Sequence, residues 1–99
     1  VLISPNRIIT EQAPQRSRLE EYVNLMREVV SAQNVVFIDV WEIWGDELQD
    51  KYNGEANDRL LNDALHPNGY GHQEIAIAIF RELSIFDPLS PTCVAAPAD

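Results

Sequence analysis

The sequence predicts an α/β fold with a parallel β-sheet, and three features favour this class. Residues 1–4 and 35–40 are short apolar runs without polar alternation, which is typical of strands buried on both faces. The segment between them carries apolar residues at helical spacing, so the three together form a strand–helix–strand unit. A second helical pattern closes the chain after residue 68. Ninety-nine residues suffice for one small domain with a modest core.

The first predicted strand, residues 1–4, ends at Pro5 and is followed by two polar residues, Asn6 and Arg7. In open parallel sheets ligands bind at the carboxyl ends of the strands. This position predicts that Asn6 and Arg7 contact a substrate, although a solvated turn accounts for them equally well. Because the chain begins inside a core strand, we expect further residues of the same fold to lie upstream or on another chain.

The first helix is predicted from Ser17 to about Gln33. Ser17 and Glu20 fit a capping box, and Asn34 is a typical residue to end the helix. We expect one face of this helix to lie in the core, including Tyr22 and Met26. The residues of this face are Leu19, Tyr22, Val23, Met26, Val29 and Val30.

The second strand leads into a connection with a short helix that ends at about Tyr52. Trp41 and Trp44 lie one helical turn apart, and we expect them to pack on the sheet. For Asp39, at the end of the strand, we predict a structural hydrogen-bonding role. Residues 53–58 are polar and predict a turn at the rim of a pocket.

The most informative segment combines Asp63, His66, Pro67 and Asn68. Pro67 disfavours helical backbone at His66, and Asn68 can cap a helix that we predict from about Gly69 to Ser84. A carboxylate three residues before an imidazole can accept the ring N–H and leave the other nitrogen free as a general base. On spacing alone, such a pair is more often a turn in which the Asp side chain bonds nearby amides.

Residues 63–68 (DALHPN), together with Gly71 and His72, resemble the last conserved block of the SGNH (GDSL-type) esterases and acylhydrolases. Residues 35–40 and 1–5 are similar to the two strands that precede this block in that family. The resemblance runs from residue 1 to about Leu83. It implies a three-layer α/β/α sandwich with a parallel, flavodoxin-like sheet, of which this chain supplies the last two strands and their flanking helices.

The resemblance also implies an activity, hydrolysis of a carboxylic ester by a Ser-His-Asp mechanism without metal or organic cofactor. In it, His66 matches the base and Asp63 the orienting acid. The family's Gly-Asp-Ser turn and its oxyanion-hole blocks are absent from this sequence. We therefore expect an N-terminal part of the same fold, carrying the nucleophilic serine, as partner. The substrate would be a small ester, for example of an acetylated carbohydrate or a lipid.

None of the chain's own serines lies on a Gly-flanked strand-to-helix turn, where such a nucleophile is expected. Each fits a plainer role as strand end, helix cap, helix surface, helix end or tail. These serines are Ser4, Ser17, Ser31, Ser84 and Ser90.

Three alternatives to this site remain open. His72 could be the base, although its place on the apolar side of its helix favours a partly buried structural histidine. Asp63, His66 and His72 could hold a metal, but the two histidines are six residues apart and no further Cys or His completes a zinc set. The chain could also be a non-catalytic binding or structural protein that keeps the fold.

The composition excludes some classes of partner. Sixteen acidic residues against seven Lys and Arg argue against nucleic acid and anionic membrane surfaces, which need clustered cations. There is no apolar run long enough for a membrane span and no signal-peptide pattern. We assign residues 1–86 to the domain and 87–99, rich in Pro and Ala, to a flexible or extended tail. That tail holds the single cysteine, Cys93, for which no catalytic role is expected.

Overall fold

A computed structural model describes residues 1–91 of the chain. The sheet has two strands, β1 (Leu2–Ile3) and β2 (Phe37–Ile38). Two 3-10 turns, Thr10–Gln12 and Pro14–Arg16, lead into helix α1 (Leu19–Gln33). After β2 come α2 (Val40–Ile43), a π-helical segment (Trp44–Leu48), α3 (Gln49–Lys51), α4 (Ala56–Leu60) and α5 (Gly69–Glu82).

The two strands are parallel and joined through α1, as the sequence predicts. Leu2 pairs with Phe37 and Ile3 with Ile38. The N–H of Leu2 donates to Val36 at 2.9 Å and that of Ser4 to Ile38 at 3.0 Å. Only two residues of each strand are paired, however, so the described part of the chain is mostly helical around a small sheet.

The core lies between β2, the helical stretch from α2 to α3, and α4. It consists of the buried residues Ile38, Val40, Trp44, Leu48, Ala56, Leu60 and Leu61. Partly buried side chains of α5, among them Ile75 and Ile79, pack against this cluster. Both tryptophans are buried. Trp44 packs in the cluster with Ile38 of β2, as predicted, and its indole N–H donates to the Asn57 Oδ1 at 3.0 Å.

The expectation that both strands are buried on both faces is wrong for the described part of the chain. Val1, Ile3, Val35 and Val36 are all more than two-fifths exposed, whereas Ile38 is fully buried. Apolar character alone does not bury a strand, because burial also requires a neighbouring layer. No third strand lies beside β1 or β2 within residues 1–91.

Helix α1 differs from its prediction at its start and on its face. Ser17 is not the cap, because Arg18 occupies that position and no side chain caps the first turn. Val23 is buried, but Tyr22 is 55% exposed, and Leu25 and Val29 are exposed to a similar extent. The predicted end is confirmed at Asn34, which adopts the left-handed conformation with φ 53°.

The connection after β2 is more helical than predicted. Residues 53–58 were expected to form a polar turn, but α4 begins at Ala56 and only the first part is a turn, with positive φ at Asn53 and Gly54. At the other end of the chain, α5 ends at Glu82 instead of Ser84. Residues 92–99, including Cys93 and most of the predicted tail, lie outside the described residues.

Asp39 has the structural role that the sequence predicts. Its carboxylate caps α2 by accepting from the Glu42 N–H at 3.1 Å, and it pairs with Arg27 of α1 at 2.7 Å. Partial burial raises the pKa of Asp39, but the hydrogen bonds from Arg27 and the Glu42 amide outweigh that effect, so its pKa is lowered. The carboxylate therefore ties α1 to the end of β2.

Across residues 1–91, none of the helices has both the length and the apolar character needed to cross a bilayer.

Candidate active site

The segment that joins α4 to α5, residues 61–68, forms a closed loop whose two ends are held together by the main chain. The Asn62 N–H donates to the His66 carbonyl at 2.8 Å, next to a bridge between Leu61 and Pro67. One residue outside this bridge at each end, the Asn68 N–H donates to the Leu60 carbonyl at 2.8 Å. We call this segment the dyad loop, because it carries Asp63 and His66.

Asn68 caps α5, as predicted, and also holds α4. Its Oδ1 accepts from the Gly71 N–H at 2.9 Å, while its Nδ2 donates to the Arg59 carbonyl at 2.9 Å. One side chain thus provides hydrogen-bond partners for a free N–H in the first turn of α5 and for a carbonyl in the last turn of α4. The sequence indicates the first of these bonds but not the second, because the second depends on how α4 approaches α5.

The two helices meet so closely at Gly71 that a side chain there has no space. A Cβ at this position would lie 2.3 Å from the Leu60 carbonyl oxygen and 2.9 Å from the Pro67 Cβ. Since one of the obstructing atoms belongs to the backbone, a side chain at position 71 would force the dyad loop and α5 apart.

We expect Gly71→Ala to destabilise the protein by about 1–3 kcal/mol, the usual cost of overpacking. This clash outweighs the gain of up to about 1 kcal/mol that alanine brings to a helix. The matched control is Gly69→Ala, two residues earlier in α5, where nothing lies within 4 Å of an added Cβ. Denaturant unfolding midpoints measure both changes, and equal stability of the two variants would contradict the close approach.

Within the dyad loop the carboxylate of Asp63 contacts the imidazole of His66. His66 Nδ1 lies 2.9 Å from Asp63 Oδ2 and 3.0 Å from Oδ1, both within hydrogen-bonding distance. A carboxylate in this position favours the tautomer with the proton on Nδ1, which leaves Nε2 as an acceptor. Both side chains are more than half exposed, at 57% and 71%.

Asp63 also bonds the backbone of its own loop. Its Oδ1 accepts from the N–H of Leu65 and from that of His66, each at 2.8 Å. The same carboxylate therefore makes both the local amide bonds of an ordinary turn and the contact with the imidazole. These two amide bonds, followed by the contact with the imidazole, lower the pKa of Asp63 to about 2.

This low pKa predicts how the dyad loop responds to acid. Because the folded pKa is below the ordinary value of 3.8, the carboxylate stabilises the loop fully above pH 3.8 and loses that effect as the pH falls towards 2. We expect an NMR titration of the Asp63 carboxyl carbon to show a midpoint near pH 2. In His66→Ala the midpoint should rise but stay below 3.8, because the amide bonds remain. A midpoint at 3.8 in the unaltered protein would contradict this geometry.

Asn6 and Arg7 both lie at the carboxyl end of β1, and the structure gives each of them intramolecular partners. Asn6 Nδ2 donates to the Arg7 carbonyl at 2.8 Å and to the Leu65 carbonyl at 3.2 Å. The Arg7 guanidinium lies over the Trp41 ring, and its Nε donates to the Trp41 carbonyl at 2.8 Å. Asn6 therefore contacts the dyad loop, whereas Arg7 packs on the core. Contact of either residue with a substrate stays a prediction.

The expected environment of His72 is wrong, because its side chain is exposed. The apolar side that the sequence indicates does pack inward, through the partly buried Ile75 and Ile79, but it does not extend to His72. The buried positions of α5 are Gly71, Glu74, Ile77 and Ala78. The sequence does not reveal Glu74 as a buried carboxylate. The Glu74 carboxylate accepts from Lys51 Nζ at 2.6 Å and from the Tyr52 hydroxyl at 2.9 Å, and these bonds fix α5 against α3.

No serine of the described residues is hydrogen-bonded to His66. Ser4 is buried and accepts from the Trp41 N–H at 2.9 Å, which makes it a structural residue. Nor do residues 1–91 contain a cluster of three or more His, Cys, Asp or Glu arranged to hold a metal. Within residues 1–91, the contact between Asp63 and His66 therefore has no serine bonded to it.

The sequence model of the GDSL-like lipase/acylhydrolase family matches residues 2–74, which include both strands and the dyad loop. The chain belongs to this family. The resemblance noted from the sequence is thereby confirmed. Membership also indicates an α/β-hydrolase-like fold, of which the small parallel sheet is a part.

Among curated proteins, the chain is similar to an acetylxylan esterase of Geobacillus stearothermophilus, with 27% identity over 73 residues. The matched region covers 74% of this chain but 32% of that esterase, so the chain spans about a third of the length of this relative. No solved structure matches the chain significantly.

Proposed function

We propose that this chain supplies the general base and the orienting acid of a serine ester hydrolase, with His66 as base and Asp63 as acid. The observation that carries the proposal is the contact of 2.9 Å between the two side chains, in a loop that falls within the family match. The exposure of His66 supports it as well, because Nε2 is accessible to a nucleophile that approaches from outside this chain.

The proposed reaction needs only the proton transfers of the Ser-His-Asp mechanism. A serine hydroxyl attacks the ester carbonyl while His66 Nε2 takes its proton, and the same nitrogen then protonates the leaving alcohol. Water, deprotonated by Nε2, hydrolyses the acyl-enzyme and restores the serine. Asp63 holds the Nδ1–H throughout and stabilises the imidazolium; its low pKa keeps it ionised across the neutral range.

The serine would come from a second segment of the same fold, which we call the complement; together with this chain it forms the complemented protein. The unpaired side of β1 supports this arrangement. The N–H groups of Leu2 and Ser4 donate to β2, so the N–H of Ile3, between them, points to the opposite edge. An exposed strand edge with apolar side chains is a template for another strand.

The exposed side chains of α1 and of the strands provide a second reason for a complement. Tyr22, Leu25 and Val29 form an apolar stripe on α1, and Ile3 and Val36 are exposed in the sheet region. Large exposed apolar surfaces are uncommon on soluble monomers and mark contact sites. We propose that the complement adds strands beside β1 and covers these residues, which would complete a three-layer sandwich with β1 and β2 as its last strands.

For the substrate we propose an O-acetyl ester of a carbohydrate. The support is the similarity to a protein named as an acetylxylan esterase. In this proposal the acyl group is small, and the alcohol that leaves is a sugar hydroxyl.

A fluorophosphonate that labels activated serines tests the proposed function. We expect the label on one serine of the complement, detected by mass spectrometry, and none on this chain. The complemented protein should also release acetate from acetylated xylan. Labelling of a serine in this chain would refute the proposal that the nucleophile lies on the complement and the base on this chain. A complemented protein that neither reacts nor hydrolyses esters would favour the non-catalytic alternative.

A further inference from the structure

Two contacts join the residues after β1 to the middle of the dyad loop. Asn6 Nδ2 donates to the Leu65 carbonyl at 3.2 Å, and the Ile9 N–H donates to the Ala64 carbonyl at 2.9 Å. Both acceptors lie between Asp63 and His66 in the sequence, although Asn6 is 59 residues away from Leu65. The tip of the loop is thus held by a distant part of the chain.

The other bonds of the loop do not fix where its tip lies. The bonds from Leu65 and His66 to Asp63 orient acid and base relative to each other. Those between residues 60–62 and 66–68 close the base of the loop. Because both side chains of the dyad are more than half exposed, surrounding residues do not confine them either. The contacts from Asn6 and Ile9 supply this missing constraint.

Asn6 is well placed to transmit such a constraint, because it is itself held against the core. Its Nδ2 also donates to the Arg7 carbonyl at 2.8 Å, so the amide is shared between its own turn and the dyad loop. Arg7, next to it, is bonded to the carbonyl of Trp41, whose side chain is 5% exposed. A path of direct contacts therefore runs from the buried Trp41 through this turn to Leu65.

We propose that Asn6 is a positioning residue for the proposed ester hydrolysis. Its side chain holds the Leu65 carbonyl and thereby fixes His66 relative to the end of β1. The proposal rests on the proposed function of His66. In this proposal Asn6 does not contact the substrate, as the sequence had suggested, but acts on the reaction through the dyad loop. Small displacements of a catalytic group have large effects on turnover, of up to about a hundredfold for 1 Å.

The test compares Asn6→Ala and Asn6→Asp with Asn24→Ala in the complemented protein, with 4-nitrophenyl acetate as substrate. Aspartate has the size of asparagine, but its carboxylate cannot donate to Leu65. Asn24 is a matched control, since its side chain accepts from Arg27 on the exposed side of α1. We expect both Asn6 variants to lose about ten- to a hundredfold in kcat with little change in KM. Asn24→Ala should keep the unaltered values.

A second readout does not depend on activity. If Asn6 holds Leu65, its loss should let the tip of the loop move away from the residues after β1, so that the Ile9 N–H, which donates to the Ala64 carbonyl, exchanges faster with deuterium. A general loss of stability would instead speed up exchange of the Asn68 N–H, which closes the base of the loop, to the same extent. Asn6→Asp provides the same comparison if the alanine variant does not fold.

The possible results separate this inference from the proposed function. A raised KM with unchanged kcat would overturn the positioning role in favour of substrate contact. Unchanged kinetics and unchanged exchange of the Ile9 N–H would overturn any role of Asn6, while ester hydrolysis that depends on His66 would stand. Absence of ester hydrolysis in the unaltered complemented protein would refute the proposed function, and exchange of the Ile9 N–H would still decide whether Asn6 holds the loop.

Discussion

Replacement of His66 with alanine is expected to lower the turnover of the complemented protein at least about a thousandfold, the scale seen when one member of a catalytic triad is removed. The physical reason is that no other group in contact with Asp63 can take the proton of the serine. Substrate binding should be largely retained, because the imidazole acts in the chemical step. Measurement of kcat at saturating ester gives the effect directly.

His72→Ala is the matched control for this prediction. It removes the only other histidine of the chain, six residues further on and also exposed. Since the side chain of His72 lies on the surface of α5, its loss should change neither stability nor turnover greatly. If His72→Ala abolished turnover in a folded protein while His66→Ala kept it, the base would be assigned to the wrong histidine.

Without its complement, the chain is expected to be aggregated, oligomeric or molten, and to have no activity on a short-chain ester. The reason is the apolar surface left uncovered: the stripe of Tyr22, Leu25 and Val29 on α1, and the unpaired edge of β1. Size-exclusion chromatography and thermal unfolding of the isolated chain measure this. Addition of the complement should convert it to a defined species that unfolds cooperatively.

A monomeric chain that unfolds cooperatively at low concentration, without any companion polypeptide, would contradict this prediction. It would show that the exposed apolar residues need no cover, and it would favour a non-catalytic protein. A substitution provides the control: Leu25→Lys on the apolar stripe should raise the solubility of the isolated chain and weaken its association with the complement.

The dyad loop is the part of the molecule that the sequence predicts best. Pro67 sets the backbone of His66, Asn68 caps the next helix, and Asp63 reaches both the amides and the imidazole a few residues away. All these interactions span three residues or fewer, so they depend on local chemistry. The separation of Asp63 and His66 could therefore be predicted without knowledge of the remaining fold.

Burial could not be predicted in the same way. Tyr22 and Ile3 have the apolar character of core residues, but their exposure depends on which other segments pack against them. The same holds for His72, since the face of α5 that points inward is selected by the approach of α4 at Gly71. The contact of Asn6 with Leu65 spans 59 residues, and no local pattern indicates it.

The capping box at Ser17 shows another limit of sequence patterns. Ser17 and Glu20 have the right spacing, but Ser17 ends the turn Pro14–Arg16, its N–H donating to the Pro14 carbonyl, and no side chain caps the first turn of α1. The spacing of a capping box alone therefore does not show that the cap bond forms.

The most direct test of the account is the initial rate of 4-nitrophenyl acetate hydrolysis when separately purified chain and complement are mixed. We expect no hydrolysis by either component, hydrolysis by the mixture, and a rate at least about a thousandfold lower when the chain carries His66→Ala. Hydrolysis by the complement alone, or an equal rate with the His66→Ala chain, would contradict the claim that this chain provides the catalytic base.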